Sequence, residues 1–114
     1  MGLPQLDGGL SDEEVDRMMA NATRATEFLK ALAHEGRLMI LCHLATGERS
    51  VTELEQLLAQ RQAAISQQLA RLRLEGLVQG RREGKTIYYR LADTRTRKML
   101  EVVYDLFCAD PPEG

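Results

Sequence analysis

The sequence predicts a mainly α-helical fold with a small β-hairpin, a winged helix-turn-helix of five helices and a two-stranded wing. Three observations carry this reading. The stretch QAAISQQLARLRLEGLV places Ile65, Leu69, Leu72 and Leu74 at the three- and four-residue spacing of one buried helical stripe. The polar side of that helix holds Gln62, Ser66, Gln67, Gln68, Arg71 and Arg73, with no carboxylate before Glu75. Behind it, two alternating segments, Leu77 to Arg82 and Thr86 to Leu91, flank the turn Glu83-Gly84-Lys85. Val78, Ile87, Tyr89 and Leu91 are expected to face a core, and Arg81, Arg82, Lys85 and Arg90 to face outward.

Taken in order, Met1 to Leu10 contains a proline and three glycines and reads as a flexible lead-in. Ser11 and Glu14 match the S-x-x-E capping pattern, so a helix is expected from there to about Ala33. Val15, Met18, Ala22, Ala25, Leu29 and Leu32 form its stripe. Met19, Thr26 and Phe28 widen that stripe beyond what a small domain needs to bury, which points to a second subunit. A second helix, Glu35 to Ala45, is apolar nearly all round and stops at Gly47. It is the expected core helix. A third runs from Ser50 or Val51 to Ala59, with Val51, Leu54, Leu57 and Leu58 inward, and a break at Gln60 to Gln62 leads into the recognition helix. The last helix, capped by Asp93 or Thr94, reaches about Cys108, and Asp110-Pro111-Pro112 ends it. Its apolar residues cover two faces, one for its own domain and one for a partner. The expected organisation is a lead-in over 1–10, one DNA-binding and dimerisation domain over 11–109, and a tail over 110–114.

Charge separates the chain into two parts. Its 114 residues carry a net charge of −2, which alone argues against nucleic acid. Yet from Arg61 to Lys98 the net charge is +7, against −9 for the remainder. A basic module in an acidic body suits phosphate attraction from one side. No apolar run approaches a membrane span and no basic segment precedes an apolar one at the start, so a soluble, cytoplasmic protein is expected.

The order ALAHEGRLMILCHL, SVTELEQLL, AAISQQLARLRLEGLV, RREGKTIYYRL and a final helix resembles the ArsR/SmtB family of dimeric bacterial repressors, from about Thr23 to Cys108. The resemblance implies a dimer joined through first and last helices and DNA release controlled by a ligand. For DNA, the polar helix face puts Gln62, Ser66, Gln67 and Gln68 at bases or nearby phosphates. Arg71 is expected at phosphate or guanine, and Arg81, Arg82 and Lys85 at the backbone or minor groove.

Metal-responsive relatives need thiolates, histidines and carboxylates that converge. Their Cys-x-Cys pair would fall on Ser50 and Thr52, and the last helix has no histidine. No metal site or cofactor is therefore expected, and His34 and His43 read as ordinary helix residues. The two cysteines, Cys42 and Cys108, are compatible with plain packing. Their places, one in the second helix and one ending the last, are similar to the persulfide-responsive SqrR/BigR branch. That likeness implies a dithiol that reacts with persulfide or polysulfide, forms a di- or polysulfide bridge and releases operator DNA. Arg37 or Arg49, if near Cys42, would favour its thiolate. The alternatives are an atypical metal-sensing repressor and a general thiol-oxidation sensor. An enzyme such as a thiol oxidoreductase is disfavoured by the lack of a C-x-x-C pair.

Overall fold

The structure, a computed structural model, describes residues 9–108. The chain forms two compact units, Met1–Lys30 and Ala31–Gly114. Residues 1–8 of the expected lead-in and the whole of the expected tail over 110–114, with residue 109, lie outside the described residues.

In the first unit, helix α1 (Asp12–Leu32) begins where Ser11 Oγ accepts from the Glu14 amide at 3.2 Å, with three acidic residues in the first turn beside the positive end of the helix dipole. Val15, Met18, Met19 and Leu29 along it are exposed. Its last two residues, Ala31 and Leu32, belong to the second unit and are buried there.

The second unit holds α2 (Glu35–Leu44), β1 (Arg49–Ser50), α3 (Val51–Leu58), α4 (Gln62–Leu74), β2 (Val78–Glu83), β3 (Thr86–Leu91) and α5 (Thr94–Phe107). His34 caps α2, its Nδ1 accepting from the amides of Gly36 (3.1 Å) and Arg37 (3.4 Å), so this histidine has a local structural task. Ser50 and Glu53 cap α3 reciprocally: Ser50 Oγ accepts from the Glu53 amide and Glu53 Oε1 from the Ser50 amide. α3 ends at Ala59, which takes the left-handed conformation, φ 52° and ψ 38°, at the tight turn before α4. α4 closes with a Schellman motif in which the Leu77 amide donates to Leu72 O and the Gly76 amide to Arg73 O. Gly76 sits at φ +77°, where a side chain would be strained.

The core gathers Ile40, Leu41 and Leu44 of α2, Leu54 of α3, Ile65, Leu69 and Leu72 of α4, then Leu77, Val78 and Leu100. Each such side chain contributes roughly 1.5–3 kcal/mol by leaving water. Several residues expected inward are not in it, Met39 of α2 among them. Leu74 is 87% exposed, because it lies beyond the stripe that Leu72 completes, and Leu57 is 48% exposed.

The sheet has three strands in the order β1-β3-β2, all antiparallel. The hairpin expectation holds, with Val78 opposite Leu91 and Glu83 opposite Thr86, so the turn is the two residues Gly84 and Lys85. β1 adds a strand that no alternation could signal, since it is two residues long, pairing Arg49 with Tyr89 and Ser50 with Tyr88. Val78 is buried, while Ile87, Tyr89 and Leu91 are half-buried.

Candidate nucleic-acid interface and thiol groove

α4 starts without a side-chain cap. Arg61 occupies the N-cap position and makes no capping hydrogen bond, and the first turn carries no acid. The positive end of the helix dipole and its first amides therefore meet no side-chain acceptor, the arrangement that suits a phosphate oxygen. Sequence reasoning passed over this, although an arginine in place of Ser, Thr, Asp or Asn at position 61 was its signal.

From that end, Gln62 and Ser66 of α4 line a groove of about 310 Å³ together with Lys85 at the wing tip and Thr52 at the start of α3. Residues expected to meet DNA from two separate elements thus share one concavity. Gln67 and Arg71 are exposed on the adjoining stripe, and Arg71 Nε lies 3.2 Å from Glu75 Oε1. Arg82 and Lys85 are exposed and form no ion pair among the described residues.

Two of the expected contacts are arranged otherwise. Gln68 is half-buried, its Oε1 accepting from Arg37 Nη1 at 3.2 Å, while Arg37 Nε donates to Ala31 O at 2.7 Å. The amide oxygen of Gln68 is thus taken up by α2. Arg81 is held by Glu48 (2.7 Å) and Glu83 (2.9 Å), with its guanidinium 5.0 Å from the centre of the Tyr88 ring. Both carboxylates hold its pKa above the ordinary arginine value. Arg81 therefore offers an anion less charge than the sequence suggested, and more support to the wing.

The two cysteines are free and exposed, Cys42 on α2 and Cys108 as the C-cap residue of α5. A groove of about 490 Å³ runs between the helices, with Cys42 and Ala45 on one wall and Arg97, Leu100, Glu101, Tyr104 and Asp105 on the other. Although its surface is open to solvent, partial desolvation by the groove walls pushes the Cys42 thiol up, and Cys108 pushes it further. The expected arginines do not serve Cys42. Arg37 is turned to Ala31 and Gln68, and Arg49 Nη2 donates to Thr46 while Nη1 lies 3.9 Å from Glu53. The groove's arginine is Arg97, whose Nη1 donates to Ala45 O at 2.8 Å. A residue 52 positions away carries no sequence signal of that contact.

Among the described residues, no three His, Cys, Asp or Glu side chains converge to hold a metal ion, and no helix is long and apolar enough to cross a membrane.

A family profile described as "Bacterial regulatory protein, arsR family" matches residues 34–79. The Biofilm growth-associated repressor of Agrobacterium fabrum is 50% identical over 92 residues, 81% of this chain and 79% of that protein. Among solved structures, reduced HlyU from Vibrio cholerae superposes with a TM-score of 0.78 at 44% identity, covering 82% of this chain and 98% of that one. The homodimeric winged helix-turn-helix DNA-binding domain of Mb0332 from Mycobacterium bovis gives 0.72 at 34% identity, over 88% and 89% of the two chains.

Proposed function

The chain belongs to the arsR family of bacterial regulatory proteins, and from that premise we propose that it is a cytoplasmic, homodimeric, DNA-binding repressor that senses reactive sulfur through Cys42 and Cys108. The observation that carries the sensing half is the position of Cys42 in a groove whose other wall is α5, the helix that Cys108 ends.

The chemistry runs as follows. The Cys42 thiolate attacks the outer sulfur of a persulfide R–S–SH and displaces RS⁻, leaving Cys42–S–SH. Attack by the Cys108 thiolate on the inner sulfur displaces HS⁻ and closes a disulfide. If Cys108 has also received a sulfur, the Cys42 persulfide anion attacks Cys108 Sγ, displaces HS⁻ and leaves a trisulfide. A longer bridge tolerates a gap that the narrow geometry of a disulfide does not. Either product ties α2 to α5, and the strain is passed to the spacing of the two recognition helices, which must match major grooves about 34–36 Å apart.

Dimerisation is supported by the exposed apolar residues Val15, Met18, Met19 and Leu29 on α1 and Val102, Leu106 and Phe107 on α5. The homodimeric relative from Mycobacterium bovis agrees with this reading. DNA is met by Gln62, Ser66, Gln67 and Arg71 of α4 with Arg82 and Lys85 of the wing. Residues 11–109 act as the DNA-binding and dimerisation domain.

The test is mass spectrometry of the reduced protein after polysulfide, and separately after peroxide, with binding followed on a duplex selected from a random library. A Cys42 to Cys108 bridge containing extra sulfur, formed with polysulfide and accompanied by weaker binding, supports the reading. Equal bridging by peroxide makes the protein a general thiol-oxidation sensor. Unmodified thiols with unchanged binding leave the cysteines as packing residues.

A further inference from the structure

The wall of the Cys42 groove is charged in a definite order. Arg97, Glu101 and Asp105 follow one another at four-residue spacing, so they form one stripe along α5, each about 6 Å further along the helix axis. Arg97 is turned to the end of α2 by its bond to Ala45 O. The two carboxylates lie beyond it, towards Cys108, and neither forms an ion pair among the described residues. Both are exposed. Leu100 and Tyr104 supply the rest of that wall. A molecule delivering sulfur to Cys42 therefore enters a groove with a net negative wall and a single cation at one end.

We propose that Glu101 and Asp105 select the sulfur donor by charge, favouring persulfides whose ammonium group is not offset by a carboxylate, such as aminothiol persulfides, over inorganic polysulfide anions. This rests on the persulfide reading of the two thiols and names the donor for it. The ammonium is drawn to the carboxylates while the outer sulfur of the donor faces Cys42. The thiolate attacks that sulfur, the S–S bond of the donor breaks, and the aminothiol leaves as its thiolate, taking the electron pair; Cys42 keeps the transferred sulfur as a persulfide. The carboxylates take no part in bond making. They are specificity residues, acting on the approach of a charged reagent, and their effect is screened by salt.

Two carboxylates lining the same solvent-open groove as Cys42 change the relative rates of donors of different charge by about tenfold. The experiment measures the rate of Cys42 persulfidation by cysteamine persulfide, cysteine persulfide and inorganic polysulfide on the full chain and on its Glu101→Gln/Asp105→Asn form. Because the intrinsic reactivity of each donor is common to both proteins, the comparison isolates the groove. The ratio of the cysteamine persulfide rate to the polysulfide rate should fall by about tenfold in the double variant. High salt should shrink the wild-type ratio towards that of the variant, and Glu101→Lys should lower the ratio further. A ratio unchanged within about twofold, or insensitive to salt, overturns the charge selection while bridging itself persists. Absence of any sulfur transfer from all three donors overturns the persulfide reading and this inference with it. Duplex binding by the reduced variants, equal to that of the parent, checks that the fold is intact.

Discussion

Arg97 Nη1 donates to the carbonyl oxygen of Ala45 at 2.8 Å, fastening α5 to the C-terminal end of the helix that carries Cys42. A cation at that end complements the helix dipole and satisfies a carbonyl that has no partner within the helix. Replacing it by Arg97→Met keeps much of the stem and removes the donor. The expected loss is about 1 kcal/mol in urea unfolding. Bridging of Cys42 to Cys108 under polysulfide should also slow, read on a non-reducing gel, because α5 is held less firmly beside α2.

The Cys42 thiol is raised mainly by burial and secondarily by Cys108. Its alkylation by iodoacetamide should therefore reach half its maximal rate above pH 9.0, the ordinary value for the group. Cys108→Ser should lower that midpoint without bringing it to the ordinary value, since burial remains. A raised folded-state pKa favours the protonated thiol, so its contribution is complete below the ordinary value and is lost as pH rises through the folded one. Denaturation midpoints should fall above pH 9.0 in the parent and fall less in Cys42→Ser.

On the DNA side, Arg82 and Arg81 separate two roles. Arg82→Ala should weaken binding to every duplex and reduce the slope of log affinity against log salt by about 1. Arg81→Ala should change the slope less and the stability more, because Glu48 and Glu83 already hold its guanidinium. Gln67→Ala should reduce affinity for the selected duplex alone, by about 1–3 kcal/mol. Titrations at three salt concentrations separate these outcomes.

Ala59 sits at φ 52° between α3 and α4. A left-handed alanine costs roughly 1–2 kcal/mol, and the extra freedom of glycine in the unfolded chain returns about half of that. Ala59→Gly should stabilise the protein by about 0.5–1 kcal/mol, measured by thermal unfolding.

Asp93 caps α5 by accepting from the Arg95 amide at 2.7 Å, and the Arg95 guanidinium holds its carboxyl below the ordinary value of 3.8. Asp93→Ala should cost about 1 kcal/mol near neutral pH. A depressed folded-state pKa gives stability that is present above the ordinary value and lost as pH falls through the folded one. The difference between parent and variant should therefore shrink on acidification below pH 3.8.

The helices were legible because each announces itself within a few residues: the Ile65, Leu69, Leu72 stripe, the capping serine at position 11 and the glycine ending α4 are all local patterns. The hairpin was legible for the same reason. Leu57 and Leu74 show the limit, since an apolar residue on the shoulder of a stripe looks like a core residue until its neighbours are placed. β1 has two residues and no period to detect. The partners of Gln68, Arg81 and Arg97 lie 31, 33 and 52 residues away, and such pairings depend on the folded chain rather than on spacing. Cys42 and Cys108 stood out by position, but the acidic wall beside Cys42 needed the groove.

Ser50 pairs with Tyr88 in the sheet and, in the same backbone, caps α3. One serine thus belongs both to the foot of the wing and to the first helix of the DNA-reading pair. A chimera that exchanges only the hairpin from Val78 to Leu91 with another arsR-family protein would insert a foreign β3 beside a native β1. The transplantable piece is longer, reaching back to include Glu48, which grips Arg81, and Ser50, which anchors both elements. Recombination between relatives should accordingly tolerate breakpoints before Glu48 or after Leu91 and select against those placed between α4 and the wing.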